Sequence, residues 1–170
     1  ICGLTTLDAI RAAVNDSADY LGFIHFARSP RHLPLDAMAS LMRSVRVDGI
    51  KTPLVSVVVD PSDDLLDARS AEGKPDRSQL HGHETPERIA DIRTRYGGPV
   101  MKEISVAAAA DISAAAVYHD VADHLLFDAK TPKDAALPGG LGLSFDWPLM
   151  RTCAFVKPWF LAGGLTPDNV

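Results

Sequence analysis

Two side chains of this sequence could transfer protons, and both lie beside short apolar segments that predict buried strands. The thiol of Cys2 stands in segment 1–3, and the carboxyl of Asp128 directly follows segment 125–127. In general acid–base catalysis, one such group takes a proton while the other gives one. The thiol would have to be partly ionised, and the carboxyl kept partly protonated by burial. The two residue types therefore predict an acid–base pair, provided that the fold brings them together.

Other residues are suited to bind an anion. Arg31 lies in Ser-Pro-Arg, where the proline restricts the backbone and could hold the guanidinium ready for a carboxylate or phosphate. Gly163 and Gly164 precede a predicted helix start, where backbone N–H groups can approach an anion. His81 could be a polar wall residue of the same site, and Gly140 belongs to a glycine-rich turn after the Asp128 strand. We expect these groups to contact a small anionic ligand.

Each candidate also has an ordinary structural explanation. A lone cysteine is often a small buried apolar residue, and Asp128 could merely cap a turn. A lone arginine such as Arg31 commonly forms a surface ion pair. The glycine pair could be a simple turn, and His81 could be a hydrogen-bonded structural histidine. Taken singly, the motifs leave both explanations open.

Strands that could position these groups recur along the chain. Apolar and β-branched segments predict seven strands, at residues 1–3, 20–26, 54–59, 77–82, 99–106, 125–127 and 159–162. Helix starts are predicted at Thr5 (with Asp8 at capping-box spacing), Pro34, Ser62, Thr85-Pro86, Asp111, Ser144 and Thr166-Pro167, and the Asp111 helix is expected to run to Val121. The Ser62 helix is expected to end near Ala71, and the Thr85-Pro86 helix at Gly97.

Strand and helix alternate at intervals of roughly 25 residues, which is typical of βαβ units and a parallel sheet. We predict a single-domain (βα)8 TIM barrel over residues 1–170. A closed barrel of this type needs eight strands, and the sequence offers seven. We expect that the eighth βα unit and the start of strand 1 are missing from this sequence, which is truncated at both ends. An open seven-stranded sheet is the alternative.

The composition favours an ordinary globular protein. Of 170 residues, 46% are hydrophobic, and 17 basic against 22 acidic residues give a net charge of −5. Neither nucleic acid nor a membrane is therefore expected as a partner, and we predict a cytoplasmic location. Cys2 and Cys153 are too few for a disulfide scaffold or a zinc site, and Cys153 is expected to be structural. Phosphate-loop, dinucleotide and Ser-His-Asp motifs are absent.

Several motifs resemble those of the phosphoribosylanthranilate isomerase family, and they occur in family order along the whole chain. They are Ile-Cys-Gly-Leu-Thr, Leu-Gly-Phe-Ile-His-Phe with Ser-Pro-Arg, Gln-Leu-His-Gly-His-Glu, Leu-Leu-Phe-Asp-Ala-Lys, Gly-Gly-Leu-Gly-Leu-Ser-Phe-Asp-Trp and Leu-Ala-Gly-Gly-Leu-Thr-Pro-Asp-Asn-Val. The resemblance implies a (βα)8 barrel of tryptophan biosynthesis that rearranges N-(5-phosphoribosyl)anthranilate without a metal or organic cofactor. Its expected partner is therefore a phosphorylated small molecule, bound by a monomer or homodimer.

The resemblance also implies roles for individual residues. Asp128 would be the general acid that protonates the furanose ring oxygen, and Cys2 the general base that removes the C2 proton of the sugar. Arg31 would hold the anthranilate carboxylate, while Gly163 and Gly164 would supply part of the phosphate site. His81 and Gly140 would also contact the substrate.

Three features depart from the family pattern. His25 replaces a second aromatic residue, a change that we expect to be tolerated. Arg77 and Ser78 replace two apolar residues expected in the fourth strand, a change that affects how that strand packs. The eighth strand and its Ser/Gly-rich phosphate loop are absent from the sequence.

Two other functions compete with this interpretation. The histidine-pathway isomerase of ProFAR performs the same chemistry on a related substrate. The resemblance of that family is to sequences with a pair of aspartates in the acid–base roles, so Cys2 argues against it. A non-catalytic barrel that binds phosphate ligands would keep the glycine pair but would not need both Cys2 and Asp128.

Overall fold

The computed structural model describes residues 1–132, 134–135, 137–152 and 156–170. In this part of the chain the strands are β1 Leu21–His25, β2 Leu54–Val58, β3 Arg77–Leu80, β4 Val100–Val106, β5 His124–Ala129 and β6 Trp159–Leu161. The α-helices are α1 Leu7–Asn15, α2 Leu35–Val47, α3 Asp63–Glu72, α4 Pro86–Tyr96 and α5 Ala109–Ala114. Short 3₁₀ helices span Ala115–Tyr118 and Trp147–Thr152.

The six strands form one parallel sheet in the order in which they occur along the chain. Cys2 adds a single parallel bridge to Gly22 at the β1 edge, so the predicted first strand is reduced to one bridging residue. The sheet curls until the ring of Tyr20 meets that of Phe160 in β6, with centroids 5.4 Å apart. This architecture is that of a partial (βα)8 barrel, as predicted.

Strand register assigns each side chain to one face of the sheet, because paired residues in neighbouring parallel strands point the same way. The inner face lines a cavity and carries, from β1 to β6, Gly22, Val55, Gln79, Met101, Leu126 and Phe160. Helices cover the other face with three apolar clusters, in which Phe23, Leu80 and Phe127 have no exposed surface. The alternation of strand residues therefore separates core from cavity.

Two predicted helix starts shift by one or two residues. The first helix is capped by Thr6 rather than Thr5, since the Thr6 hydroxyl accepts a 3.3 Å hydrogen bond from the Ala9 amide. α5 begins at Ala109, before Asp111, because the Asp111 carboxylate reaches back to the amides of Ala107 and Ala108. The helix then tightens into 3₁₀ geometry and ends at Tyr118, short of the predicted Val121.

Two later helix predictions were wrong. Residues 142–146 are irregular, and the helix expected from Ser144 is a 3₁₀ helix that begins at Trp147. Ser144 instead packs against Gly164: a β-carbon added to Gly164 would lie 2.8 Å from the β-carbon of Ser144. The helix expected at Thr166-Pro167 is a turn within the described residues, closed by a 3.1 Å bond from the Asn169 amide to the Thr166 carbonyl. Cys153 lies outside the described residues.

β3 forms despite its polar sequence. Ser78 is buried, and its hydroxyl lies 2.8 Å from Nη1 of the buried Arg69, which also donates to the Ser56 hydroxyl at 3.0 Å. The guanidinium thus replaces the expected apolar packing with hydrogen bonds between α3 and the sheet. Burial lowers the pKa of Arg69 to about 10, so the side chain stays charged at neutral pH.

Two carboxylates hold the amino ends of the strands. Asp76, just before β3, accepts a 2.6 Å hydrogen bond from the Leu54 amide and pairs with Arg46. Asp123, just before β5, accepts a 2.8 Å bond from the Val100 amide and pairs with Arg93 at 3.1 Å. Each carboxylate therefore ties the start of one strand to the preceding strand and its helix.

We expect Asp123→Ala to lower the free energy of unfolding of the full-length protein by about 1–2 kcal/mol, because the Val100 amide and the Arg93 guanidinium both lose their acceptor. Urea denaturation measures this change. Asp91→Ala, at an exposed position of α4, is the matched control and should change stability by less than about 0.5 kcal/mol. Equal losses in the two variants would contradict the assigned role of Asp123.

Candidate active site at the carboxyl ends of the strands

A cavity of about 740 Å³ occupies the barrel interior and extends to the carboxyl ends of the strands. All seven residues predicted from the sequence to form the site line it, namely Cys2, Arg31, His81, Asp128, Gly140, Gly163 and Gly164. Parallel strands make this convergence possible, because their carboxyl ends meet at one edge of the sheet. The structure therefore brings the predicted site residues together, and their roles stay predictions.

Asp128 lies within β5 rather than beyond its end, because the strand continues to Ala129. Its side chain points into the cavity, and Oδ1 accepts a 2.8 Å hydrogen bond from the Ala129 amide. Burial raises the pKa of the Asp128 carboxyl above its usual value, and the Ala129 hydrogen bond partly offsets that rise. The environment thus favours the protonated form that a general acid needs.

Cys2 lies at the edge of the sheet, with its thiol against Gly22. A β-carbon placed on Gly22 would be 2.8 Å from Cys2 Sγ, so a larger residue would displace the thiol. Burial raises the pKa of the Cys2 thiol, and the nearby charge on Asp128 raises it further, while the Arg31 charge lowers it. Without substrate, the thiol is therefore mostly protonated, and ionisation depends on positive charge close to it.

Arg31 lies across the mouth of the cavity. Its side chain packs against Gly3, where an added β-carbon would lie 2.6 Å from Arg31 Cδ. It also packs against Gly140, where an added β-carbon would lie 2.6 Å from Arg31 Nη2. The Ser29 hydroxyl accepts a 3.2 Å bond from the Arg31 amide and so fixes the loop. No carboxylate in the described part of the chain pairs with the guanidinium, which leaves its charge available to an anion.

His81 follows β3, and its amide donates a 2.9 Å hydrogen bond to the Val58 carbonyl. The ring nitrogen Nδ1 lies 3.1 Å from Nε2 of Gln79, and burial lowers the pKa of His81 to about 4, with Lys102 adding to the decrease. His81 is therefore a neutral polar wall at neutral pH. Nε2 faces Gly139, whose β-carbon position lies 2.4 Å away.

The glycine pair after β6 allows backbone to approach the Asp128 carboxyl. Gly163 has φ of +85°, and a β-carbon there would lie 2.9 Å from Asp128 Oδ1, the Ala129 amide nitrogen and the Leu143 carbonyl oxygen. Gly164 also has positive φ and meets Ser144. Only glycine fits both the conformation and the space at Gly163.

The end of β3 is held by a buried ion pair. Lys102 Nζ lies 3.0 Å from Glu84 Oε2 and also donates to the Gly82 carbonyl at 2.6 Å. The Glu84 carboxylate accepts hydrogen bonds from the amides of Asp60 and Gly82, each at 3.0 Å. This network orders the turn that follows His81.

Sequence reasoning missed three polar residues of the inner face. Gln79 lines the cavity beside His81, and Glu103 and Ser105 occupy the inner positions of β4. The alternation of side chains along β3 could have identified Gln79, because residues two apart in a strand point to the same face and Gln79 lies two residues before His81. Nothing in the sequence separates Glu103 from its neighbour Lys102, which points to the opposite face.

His25 replaces the aromatic residue of the family pattern without loss of contacts. Its Nδ1 lies 2.8 Å from the Leu33 carbonyl, and its ring lies 4.9 Å from that of His32. His25 thus joins the end of β1 to the chain after the Arg31 loop.

The described residues contain neither a candidate membrane-spanning helix nor a candidate metal-binding cluster. None of their helices is both long and apolar enough to cross a bilayer. No group of three or more His, Cys, Asp or Glu side chains among them is arranged to hold a metal ion.

The curled parallel sheet and the polar residues at its carboxyl edge define a (βα)-barrel protein with a candidate site in the barrel mouth. The family described as N-(5′phosphoribosyl)anthranilate (PRA) isomerase matches residues 1–170, the whole chain. This chain belongs to that family of enzymes. The predicted family and its isomerase class are thereby confirmed.

Relatives and solved structures agree with this assignment. The N-(5′-phosphoribosyl)anthranilate isomerase of Caulobacter sp. strain K31 is 48% identical over 170 residues, which are all of this chain and 79% of that protein. The isomerase of Paramagnetospirillum magneticum is 50% identical over the same length and 78% of its own. The crystal structure of the Thermus thermophilus phosphoribosyl anthranilate isomerase is similar with a TM-score of 0.81 at 27% identity, covering 99% of this chain and 77% of that one.

We expect Gly163→Ala to lower kcat/KM for isomerisation by at least about tenfold, because the new methyl group would displace the Asp128 carboxyl or the backbone around it. Gly142→Ala is the matched control. Gly142 has a similar φ, +70°, but nothing lies within 4 Å of its β-carbon position. Both variants should lose about 1 kcal/mol of stability from the strained backbone. Equal activity in the two variants would show that the space beside Asp128 is not needed.

Proposed function

We propose that this chain catalyses the Amadori rearrangement of N-(5′-phosphoribosyl)anthranilate to 1-(2-carboxyphenylamino)-1-deoxyribulose 5-phosphate in tryptophan biosynthesis. The observation that carries the proposal is that Cys2, Asp128 and Arg31 line one cavity in a member of this isomerase family. An aldose-to-ketose rearrangement moves protons without net oxidation, so a general acid and a general base can perform it.

Asp128 is the general acid of the first step. Its carboxyl gives a proton to the furanose ring oxygen while the bond from that oxygen to C1 breaks. The electron pair on the anthranilate nitrogen forms a double bond to C1, which yields a protonated Schiff base. Burial of Asp128 supports this role, because it favours a carboxyl that still holds its proton.

Cys2 is the general base of the second step. Its thiolate removes the proton from C2, and the C–H electrons form a double bond between C1 and C2 while the nitrogen recovers its electron pair. The resulting enolamine becomes the ketone when the C2 hydroxyl loses its proton and C1 gains one. The positive charges of the Schiff base and of Arg31 both favour the thiolate. They offset the rise in the pKa of Cys2 that burial causes.

The remaining residues bind the two ends of the substrate. Arg31 holds the anthranilate carboxylate, since its guanidinium lies at the cavity mouth without an ion-pair partner in the described chain. The backbone of Gly163 and Gly164 receives part of the phosphate group. His81 and Gly140 form neutral walls between these two ends.

The competing functions account for fewer of these features. A histidine-pathway isomerase would use a second aspartate, and a non-catalytic phosphate binder would not need a thiol opposite Asp128. The predicted monomer or homodimer and the predicted cytoplasmic location stay predictions.

We expect Cys2→Ala and Asp128→Asn each to lower kcat/KM by on the order of 10²–10⁴, because each removes one proton-transfer group. The loss of anthranilate fluorescence during turnover by the full-length protein measures this effect. Binding of the product should change little in either variant, and Cys153→Ala controls for the loss of a thiol elsewhere in the chain. Normal turnover in Cys2→Ala would exclude the thiol as the base.

We expect Arg31→Gln to raise KM by roughly 10- to 100-fold with kcat changed only a few-fold, since a charge-assisted hydrogen bond to the substrate carboxylate is lost. Arg28→Gln is the matched control in the same loop. The Arg28 guanidinium stacks on Phe26, 5.5 Å from the ring centroid, and should leave KM unchanged. Steady-state kinetics of both variants decide whether the charge at Arg31 binds the substrate.

A further inference from the structure

A second carboxyl lies on the inner face of the barrel next to Asp128. In the register of β4 and β5, Glu103 is paired with Leu126, and Ser105 is paired with Asp128. Leu126 and Asp128 line the central cavity, so Glu103 and Ser105 point to the same inner face. Glu103 therefore lies one inner-face position below Asp128, on the neighbouring strand.

Glu103 is buried without a cation to balance it. Its residue is 4% exposed, and its carboxyl oxygen Oε1 accepts a 2.8 Å hydrogen bond from the Ser105 hydroxyl. Lys102 points to the other face, where it is paired with Glu84. No lysine or arginine of the described chain forms an ion pair with Glu103. Ionising a buried carboxyl in such surroundings costs free energy, because the charge loses its hydration.

The titratable and charged groups around Glu103 come from several elements. They are His81 and Glu84 after β3, Lys102 in β4, Asp128 in β5, Tyr118 in the 3₁₀ helix, and Asp111 and Lys130 at the rim of the adjoining cavity. Of these, the Asp128 and Glu84 charges oppose ionisation of Glu103, and the Lys102 charge favours it.

We propose that Glu103 is a positioning residue for the acid step, and that it acts by sharing one proton with Asp128. The inference rests on the proposed function, in which Asp128 gives its proton to the ring oxygen. Two carboxyls at neighbouring inner-face positions of a buried site resist carrying two negative charges, so the pair keeps one proton to a higher pH than a single carboxyl would.

The titration of the pair fits its geometry. Burial raises the pKa of Glu103 to about 7, the Asp128 charge adds to that rise, and the Ser105 hydrogen bond opposes it. Up to about neutral pH, one proton is therefore present on the pair. Once Glu103 ionises, its charge opposes a second negative charge on Asp128 and so favours the protonated Asp128 that the acid step uses.

The pH dependence of Glu103→Gln tests the proposal in the full-length protein. Below about pH 6, kcat/KM should equal that of the wild type, because Glu103 is then mostly uncharged, as glutamine is. Above about pH 8, it should be roughly tenfold lower, which corresponds to about one pKa unit of lost coupling. Glu103→Asp keeps the charge and should recover part of the loss. A deficit of the same size at every pH would overturn the proposal in favour of a purely structural role.

Carboxyl titration separates this proposal from the proposed function. Carbon-13 NMR of labelled glutamate in the ligand-free protein should show a lower Glu103 midpoint in Asp128→Asn than in the wild type, because the Asp128 charge opposes ionisation of Glu103. This measurement tests the coupling even if Glu103→Gln does not fold. Unchanged midpoints would overturn the proposal whatever the activity. Coupled midpoints in a protein that fails to isomerise phosphoribosylanthranilate would instead reject the proposed function and retain the proton sharing.

Discussion

Lys102 and Glu84 form an ion pair that is almost fully buried, with side chains only 3% and 2% exposed. Such a pair gains little over apolar packing, because both charges lose their hydration, and it persists only when further hydrogen bonds complete it. Here the carbonyl of Gly82 and the amides of Asp60 and Gly82 supply those bonds. The pair thereby joins the segments that follow β2 and β3 to Lys102 in β4, and it orders the turn that follows His81.

The electrostatics of the cavity follow from this closed packing. Burial raises the pKa values of Cys2, Asp128 and Glu103 and lowers that of His81, so each group is pushed toward its neutral form. Arg31 alone among the predicted site residues brings a fixed charge to the mouth. In the proposed function, a substrate with two anionic ends would be oriented by Arg31 and by backbone amides, and the raised pKa values of Asp128 and Glu103 favour protonated carboxyls.

Close approach of the backbone is the second requirement of the site. Gly139 and Gly163 lie on either side of the Asp128 carboxyl, where β-carbons would come within 3.3 Å and 2.9 Å of its two oxygens. Gly22 makes the corresponding room for the Cys2 thiol. The two proposed proton-transfer groups thus each lie against glycine backbone, where any larger residue would displace them.

The sequence by itself determined the order of strands and helices, the parallel sheet and the convergence of Cys2, Arg31 and Asp128. These features follow from local periodicity and from the rule that parallel strands end at one edge, so they need no knowledge of distant contacts. The predicted helix ends were less accurate, because a side chain such as the Asp111 carboxylate can accept hydrogen bonds from any of several neighbouring amides. Only the tertiary structure decided that Glu103 lies on the inner face one position from Asp128 and that Arg69 supports β3. The physical reason is that both depend on strand register and burial, which are set by packing between separate elements and not by local periodicity.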